Sequence, residues 1–297
     1  MNVKIAPLLI IFAAVLWGTT GTAQTFAPEA AHPVAIGAAR LAVGGLFLLV
    51  LVFFTGGLNI KGWPVKATVL AAVSMALFQP LFFSAVTITG VAIGTVVAIG
   101  SAPIISGFLE WVFLKRRPSN IWWGSTFLSI SGCLMLFLNK ESVVVDPVGI
   151  LMALGAGLSF AVYAIVSRDL VGKHPSLSVV AVVFTLSAVC LAPFLFIFDM
   201  TWLSDARGWS ISLYLGIMTT GIAYILFAKG LTYVSSSTAV TLALAEPLTA
   251  ALFGFFLLGE VLNLTAWIGM LLLMVGIALL VFAPKRSVGE GQQELTL

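Results

Sequence analysis

The chain has 297 residues, of which 61% are hydrophobic and only 8% charged, with a formal net charge of +3. A water-soluble domain carries about 25% charged residues, so this composition excludes a soluble enzyme or binding module and implies an all-α integral membrane protein. The lysines and arginines behind the positive balance lie between apolar segments, so they speak to topology and not to nucleic acid.

A helix crossing the roughly 30 Å hydrocarbon core needs about 20 mostly apolar residues. Ten segments qualify, near 4–24, 34–54, 66–88, 91–114, 120–138, 147–167, 177–198, 208–232, 235–258 and 262–282. Helices are predicted throughout, because lipid offers no partner to an open strand edge and runs such as LLMVGIALLVF do not alternate as barrel strands do. The first segment follows Lys4 and ends near Gly21-Thr22-Ala23, which has the look of a signal-peptide cleavage site. It is read instead as a retained span, because Trp17, Thr20 and Gln24 have counterparts in Phe160, Tyr163 and Ser167 of the sixth segment. Cys133 and Cys190 fall inside spans as packing residues. Trp122, Trp123, Trp202 and Trp209 fall at span ends and read as interfacial anchors. The segment after Lys285 reads as a short, polar, disordered tail.

Orientation follows the positive loops. With the N-terminus in the cytoplasm, Lys4, Lys61, Lys66, Lys115, Arg116, Arg117, Arg168, Lys173, Lys229, Lys285 and Arg286 share that side, 11 of the 14 basic residues. Lys140 and Arg207 fall opposite, and Arg40 lies within a span. Ten spans place both termini in the cytoplasm, in an inner (plasma) membrane.

The chain also repeats itself. Phe83, Val96, Pro103, Leu114 and Trp123 fall on Phe227, Val240, Pro247, Leu258 and Trp267 at a constant offset of 144 residues. His32-Pro33 and His174-Pro175 follow the first and sixth spans alike. The halves are taken as 1–140 and 141–284, followed by the tail 285–297. Five spans in each half make the second repeat inverted relative to the first, the usual skeleton of a secondary transporter with its site on the seam.

These residues carry a resemblance to a known family. Trp17-Gly18-Thr19, Arg40, the stretch from Ala92 to Pro103, and Ser236-Ser237-Thr238-Ala239 through Glu246-Pro247 resemble the EamA family of the drug/metabolite transporter superfamily. The resemblance covers nearly the whole chain in two copies. It implies ten helices around a central cavity and export of small metabolites; within the family the chain is most similar to the YddG-type amino-acid exporters. Members differ in substrate, so the resemblance leaves the cargo open.

Pro103 and Pro247 fall near the middle of spans four and nine. A proline inside a helix removes one hydrogen bond and frees the carbonyl four residues back, here those of Ile99 and Ala243. Two matched breaks at one depth point to a shared wet cavity, with packing kinks as the alternative, and Gln79-Pro80 adds a third break. Glu246 is the acid at mid-depth, and three readings stand: an ion pair with Arg40, a contact to a substrate ammonium, or a proton-coupling acid. Glu110 is expected to pair with the nearby Lys115-Arg116-Arg117 cluster. Trp17, Thr20 and Gln24 share one helical face, suited either to a pocket or to packing, as do Phe160 and Tyr163; Tyr224 is a further lining candidate. Gly90, Gly94 and the run Ser235 to Thr238 read as close-packing or hinge positions.

The expected substrate contacts are thus Trp17, Thr20, Gln24, Gln79, Phe160, Tyr163, Tyr224 and Glu246. Pro80, Pro103 and Pro247 are expected as helix breaks or gates, and Arg40 as a structural or coupling charge. No cofactor or metal is expected. His32 and His174 lie in loops, and the chain has no phosphate-binding loop or hydrolase motif, which argues against an enzyme or an ATP-driven pump. The expected function is a secondary carrier exporting small metabolites, most of all amino acids, by alternating access. Drugs or other amphiphilic metabolites are the alternative cargo, and a small-solute channel is the alternative class. The bilayer and a small-molecule substrate are the expected partners; the oligomeric state is left open, with a monomer sufficient.

Overall fold

The computed structural model describes residues 5–28, 30–55, 62–137 and 146–282. Lys4, Glu29, Lys61, the expected boundary between the halves at residues 139–145 and the tail 285–297 lie outside them. The described chain forms ten apolar helices. The first half contributes α1 (Ala6–Gln24), α2 (Pro33–Thr55), α3 (Val65–Thr89), α4 (Val91–Leu114) and α5 (Asn120–Phe137). The second contributes α6 (Pro147–Val171), α7 (Ser176–Ile197), α8 (Ala206–Leu231), α9 (Ser236–Leu258) and α10 (Leu264–Phe282).

Nine are long and apolar enough on their own to cross a membrane. The other, α5, is shorter and turns Ser125, Thr126 and Ser129 into the protein interior. Large apolar side chains such as Phe12, Phe53, Phe54, Phe108 and Phe127 cover the outside, a surface suited to lipid and not to water. The chain is a multi-pass membrane protein.

Local chemistry sets the helix ends. The Asp146 carboxylate accepts the N–H groups of Val148 and Gly149 at the start of α6, and the Ser235 hydroxyl accepts that of Thr238 at the start of α9. Gly259, at φ 71°, ends α9 in the left-handed region that glycine enters without strain. Helix α7 is interrupted at Ala192-Pro193 before its last turn, because Pro193 has no N–H to continue the ladder.

The helix contacts carry the two-fold pattern. The extensive packings of α3 on α6 and α4 on α6 are mirrored by α1 on α8 and α1 on α9, while α2–α7 and α5–α10 are each their own mates. All of these cross from one half to the other. At α5–α10, a Cβ on Gly132 would lie 2.5 Å from the Gly269 carbonyl oxygen, and one on Gly276 would lie 2.8 Å from that of Ser125. Residues 132 and 276 are 144 apart, so the same backbone-to-backbone approach occurs twice.

Only one of the three prolines expected to break a helix does so. Helices α3 and α4 run unbroken through Pro80 and Pro103, whereas α9 divides into Ser236–Leu242 and Ala245–Leu258 just before Pro247. The Ala243 carbonyl is not left free there, since it accepts the Glu246 N–H at 2.9 Å in a tightened turn. A break that the sequence does not announce lies in α8, where Leu215–Ile222 forms a π-helical segment.

Candidate functional site

A cavity of about 610 Å³ lies on the seam between the halves. Trp17, Thr20 and Gln24 of α1, Arg40 of α2 and Gln79 of α3 line it from the first half; Phe160 of α6, Tyr224 of α8, and Glu246 and Pro247 of α9 line it from the second. Of the residues expected at the site, Tyr163, Pro80 and Pro103 do not reach the cavity.

The reason Tyr163 is excluded is geometric. Helix α1 runs from Trp17 toward a mouth formed by Gln24, Thr25, Pro33, Leu258, Glu260 and Leu262. Helix α6, inverted, runs from Phe160 the other way, toward Arg168. Thr20 and Gln24 therefore line the cavity, while their counterparts Tyr163 and Ser167 are each 1% exposed. The lining residues that sit near helix ends, such as Gln24, Thr25, Thr87, Leu258 and Glu260, all belong to one face, so the cavity reaches toward that face. That face carries Asp146, Asp199, Asp205 and Glu260 and is here called the acidic face; the opposite, basic face carries Lys115, Arg116, Arg117, Lys173 and Lys229.

Aromatic rings form the cavity's closed end. The Trp17 ring is 4.8 Å from Tyr224, 5.9 Å from Phe160 and 5.3 Å from Phe227, and Phe160 is 5.8 Å from Phe78. Two opposite charges share this apolar space. Arg40 is 7% exposed, and its Nε donates to the Thr220 hydroxyl at 3.2 Å. Thr220 belongs to the π segment of α8, and Gly44 lets the two helices close on it: a Cβ on Gly44 would lie 2.6 Å from Thr220 Cγ2. Glu246 occupies the first turn of the second piece of α9, where the helix N-terminus favours a negative charge. Arg40 and Glu246 do not form an ion pair.

Three donors add to the pattern. Trp17 Nε1, Gln79 Nε2 and Gln24 Nε2 are buried without a partner in the protein, and all three residues line the cavity. Buried donors are nearly always bonded in folded proteins, so unmet ones on a cavity wall mark places for ligand or water. The Tyr214 hydroxyl meets Thr19 at 2.7 Å and ties α8 to α1 beside the site. Sequence reasoning missed Thr220, Phe78 and Tyr214. The Gly216…Thr219-Thr220-Gly221 cluster, small and polar residues inside an apolar span, was the available signal.

Two expectations are corrected. Glu110 does not pair with Lys115-Arg116-Arg117: Lys115 turns the chain at φ 55°, Arg117 stacks over Trp111 at 5.8 Å, and the Glu110 carboxylate faces Arg168 at 3.8 Å. Trp122 and Trp202 are 2% and 3% exposed, buried in the protein and so unable to serve as interfacial anchors, whereas Trp123 and Trp209 are exposed. Among the described residues no group of three or more His, Cys, Asp or Glu side chains is placed to hold a metal ion.

Comparison with known proteins adds to this geometry. The EamA-like transporter family matches residues 4–138 and again residues 147–282. The uncharacterized transporter YwfM of Bacillus subtilis (strain 168) is 50% identical over 287 residues, covering 97% of each chain. The threonine/homoserine exporter RhtA of Escherichia coli (strain K12) is 29% identical over 270 residues, covering 86% of this chain and 84% of that one. A solved crystal structure at 20% identity covers 92% of this chain and 95% of its own with a TM-score of 0.81, a likeness of fold.

Proposed function

We propose that this chain, which belongs to the EamA-like transporter family, is a secondary carrier that exports amino acids across the inner (plasma) membrane by alternating access. The observation that carries this reading is the pair of opposite charges, Arg40 and Glu246, contributed by the two halves to the wall of one largely apolar cavity. A zwitterion fits such a wall. Its carboxylate meets the Arg40 guanidinium, with the Gln79 amide and the Trp17 indole N–H in reserve, and its ammonium meets the Glu246 carboxylate. Rings of Trp17, Tyr224 and Phe160 receive the side chain. The name of the relative RhtA, a threonine/homoserine exporter, supports a small amino acid as cargo.

The charges of the two faces support placing both termini in the cytoplasm, with the basic face inside; the cavity then opens outward. The repeats divide at residues 1–140 and 141–284, followed by the tail. A cavity closed at one end favours a carrier over a channel, which needs a continuous path. An amphiphilic cation is the second reading, favoured by the rings of Phe78, Phe82, Phe83 and Phe160 around one carboxylate; such a cargo has no need of Arg40.

Counterflow in proteoliposomes tests the proposal. With labelled threonine, homoserine and a panel of other amino acids, with and without a pH gradient, at least one is expected to exchange saturably. Exchange of cationic amphiphiles alone, untouched by Arg40→Gln, selects the second reading. Single-molecule conductance returns the chain to the channel class.

A further inference from the structure

A second polar cluster lies beyond the aromatic end of the cavity, toward the basic face. Glu110, in the last turns of α4, is 2% exposed. Its Oε1 accepts the backbone N–H of Ser236 at 2.8 Å, its Oε2 accepts the hydroxyl of Ser237, and the Arg168 guanidinium stands 3.8 Å from Oε1. One buried carboxylate thus ties the end of α4 to the start of α9 and the end of α6. Burying a charge is costly unless it is paired and hydrogen-bonded, and this one has donors on both other helices. The substrate reading uses none of these residues.

The inverted repeat shows what the cluster does. At the 144-residue offset Glu110 falls on Gly254 and Ser236 on Ala92, and at the 143-residue offset that pairs Gln24 with Ser167 in α1 and α6, Arg168 falls on Thr25, all at the acidic face. Gly254 has no side chain, but a Cβ placed there would lie 2.7 Å from Oε2 of Glu260, so the Glu260 carboxylate lies over the counterpart position of Glu110. Backbone geometry matches too: the Glu110 carbonyl accepts the N–H of Arg116, and the Gly254 carbonyl accepts that of Glu260. Gln24, one residue before the place of Arg168, has its Nε2 unpartnered, and Gln24, Thr25 and Glu260 all line the cavity. Helix α4, in the place of α9, begins at Gly90, which supplies no side-chain cap. The constellation is assembled at the closed face, and its counterpart residues border the open one.

We propose that Glu110, Arg168, Ser236 and Ser237 form the inner latch of the carrier, which holds the outward-open state and must part before the cavity opens to the basic face. Its mate, Glu260 with Gln24 and the start of α4, closes the mouth in the opposite state. The inference rests on the alternating-access reading above, but not on the nature of the cargo.

The test is accessibility of a cysteine in the cavity. In a Cys133→Ala/Cys190→Ala background, Thr95→Cys is labelled with a membrane-impermeant maleimide from the acidic-face side of sealed vesicles. Glu110→Gln, Arg168→Gln and Ser237→Ala are each expected to slow labelling by at least about threefold, within what loss of a hydrogen bond to a charged group shifts. Lys173→Gln, which breaks the exposed pair with Asp169, is expected to leave it unchanged. Ser237→Ala removes one hydroxyl and little volume, so it carries the test where a charge variant fails to fold. Unchanged labelling in the folded variants, or an equal effect from Lys173→Gln, overturns the latch. Slowed labelling in a parent protein that moves no amino acid overturns the cargo reading and leaves the latch standing.

Discussion

Arg40 and Glu246 come from opposite halves of the chain and line the same cavity without a direct ion pair between them. Two opposite charges on one cavity wall without a direct ion pair leave each with bonding capacity for a ligand. Glu246→Gln removes the negative charge that meets an ammonium while keeping size and a carbonyl acceptor, and counterflow of a zwitterion is expected to fall by at least about tenfold, as a charge-assisted bond becomes a neutral one. Arg40→Gln is expected to do the same through the carboxylate. Saturable uptake at the parent rate in both variants removes these two residues from the substrate site.

Thr220 holds the guanidinium rather than the cargo. Its hydroxyl accepts from Arg40 Nε at 3.2 Å, so Thr220→Val, nearly equal in volume, frees the arginine without emptying the site. The expected result is a rise in KM of about fivefold with kcat little changed, the size of one neutral-partner hydrogen bond. A variant that lowers kcat alone places Thr220 in the conformational step instead.

The fold was legible because its causes are local and periodic: apolar runs long enough to span lipid, basic loops between alternate spans, and one offset of 144 residues repeated from Phe83 to Trp123. Most of the cavity wall was legible for the same reason, since Trp17 and Phe160 occupy equivalent places and meet across the seam at 5.9 Å. What escaped depends on distant partners or on the asymmetry of one conformational state. Glu110 looked committed to its near neighbours, but its partners are Arg168 and Ser236, 58 and 126 residues away. Tyr163 matched Thr20 by repeat, yet one faces the closed side and the other the mouth. Trp122 lies at a span end as an anchor does, and Gly107 of α4 clears the space that buries it.

The prolines separate for a related reason. Pro247 adjoins a real interruption, with Ala243 and Leu244 outside regular helix and Glu246 beside it, whereas α4 continues through Pro103. Pro247→Ala restores an N–H where the turn is already closed by Glu246, and is expected to straighten α9 and slow exchange between states by about tenfold while Tm rises or holds. Pro103→Ala is expected to change exchange by less than about twofold, because the helix there has no interruption to heal. Stopped-flow counterflow on both variants checks this, and equal slowing restores the matched pair.

Gly18 tests how tightly the site is built. Helices α1 and α9 approach so closely there that a Cβ would lie 2.6 Å from the Glu246 carbonyl oxygen and 2.6 Å from Thr249 Cβ. Neither neighbour is the free end of a flexible side chain: one is backbone beside the α9 interruption, the other a branched carbon whose hydroxyl is bonded to the Ala245 carbonyl at 2.8 Å. Gly18→Ala must therefore push α9 away from α1, at a cost of about 1–3 kcal/mol for overpacking a tight contact. It moves Glu246 with the backbone, so lower Tm and weaker substrate binding are expected together. Gly21→Ala is the control, because a Cβ there meets nothing within 4 Å; an equal loss in that variant would show that the effect comes from helix α1 itself and not from its approach to Glu246.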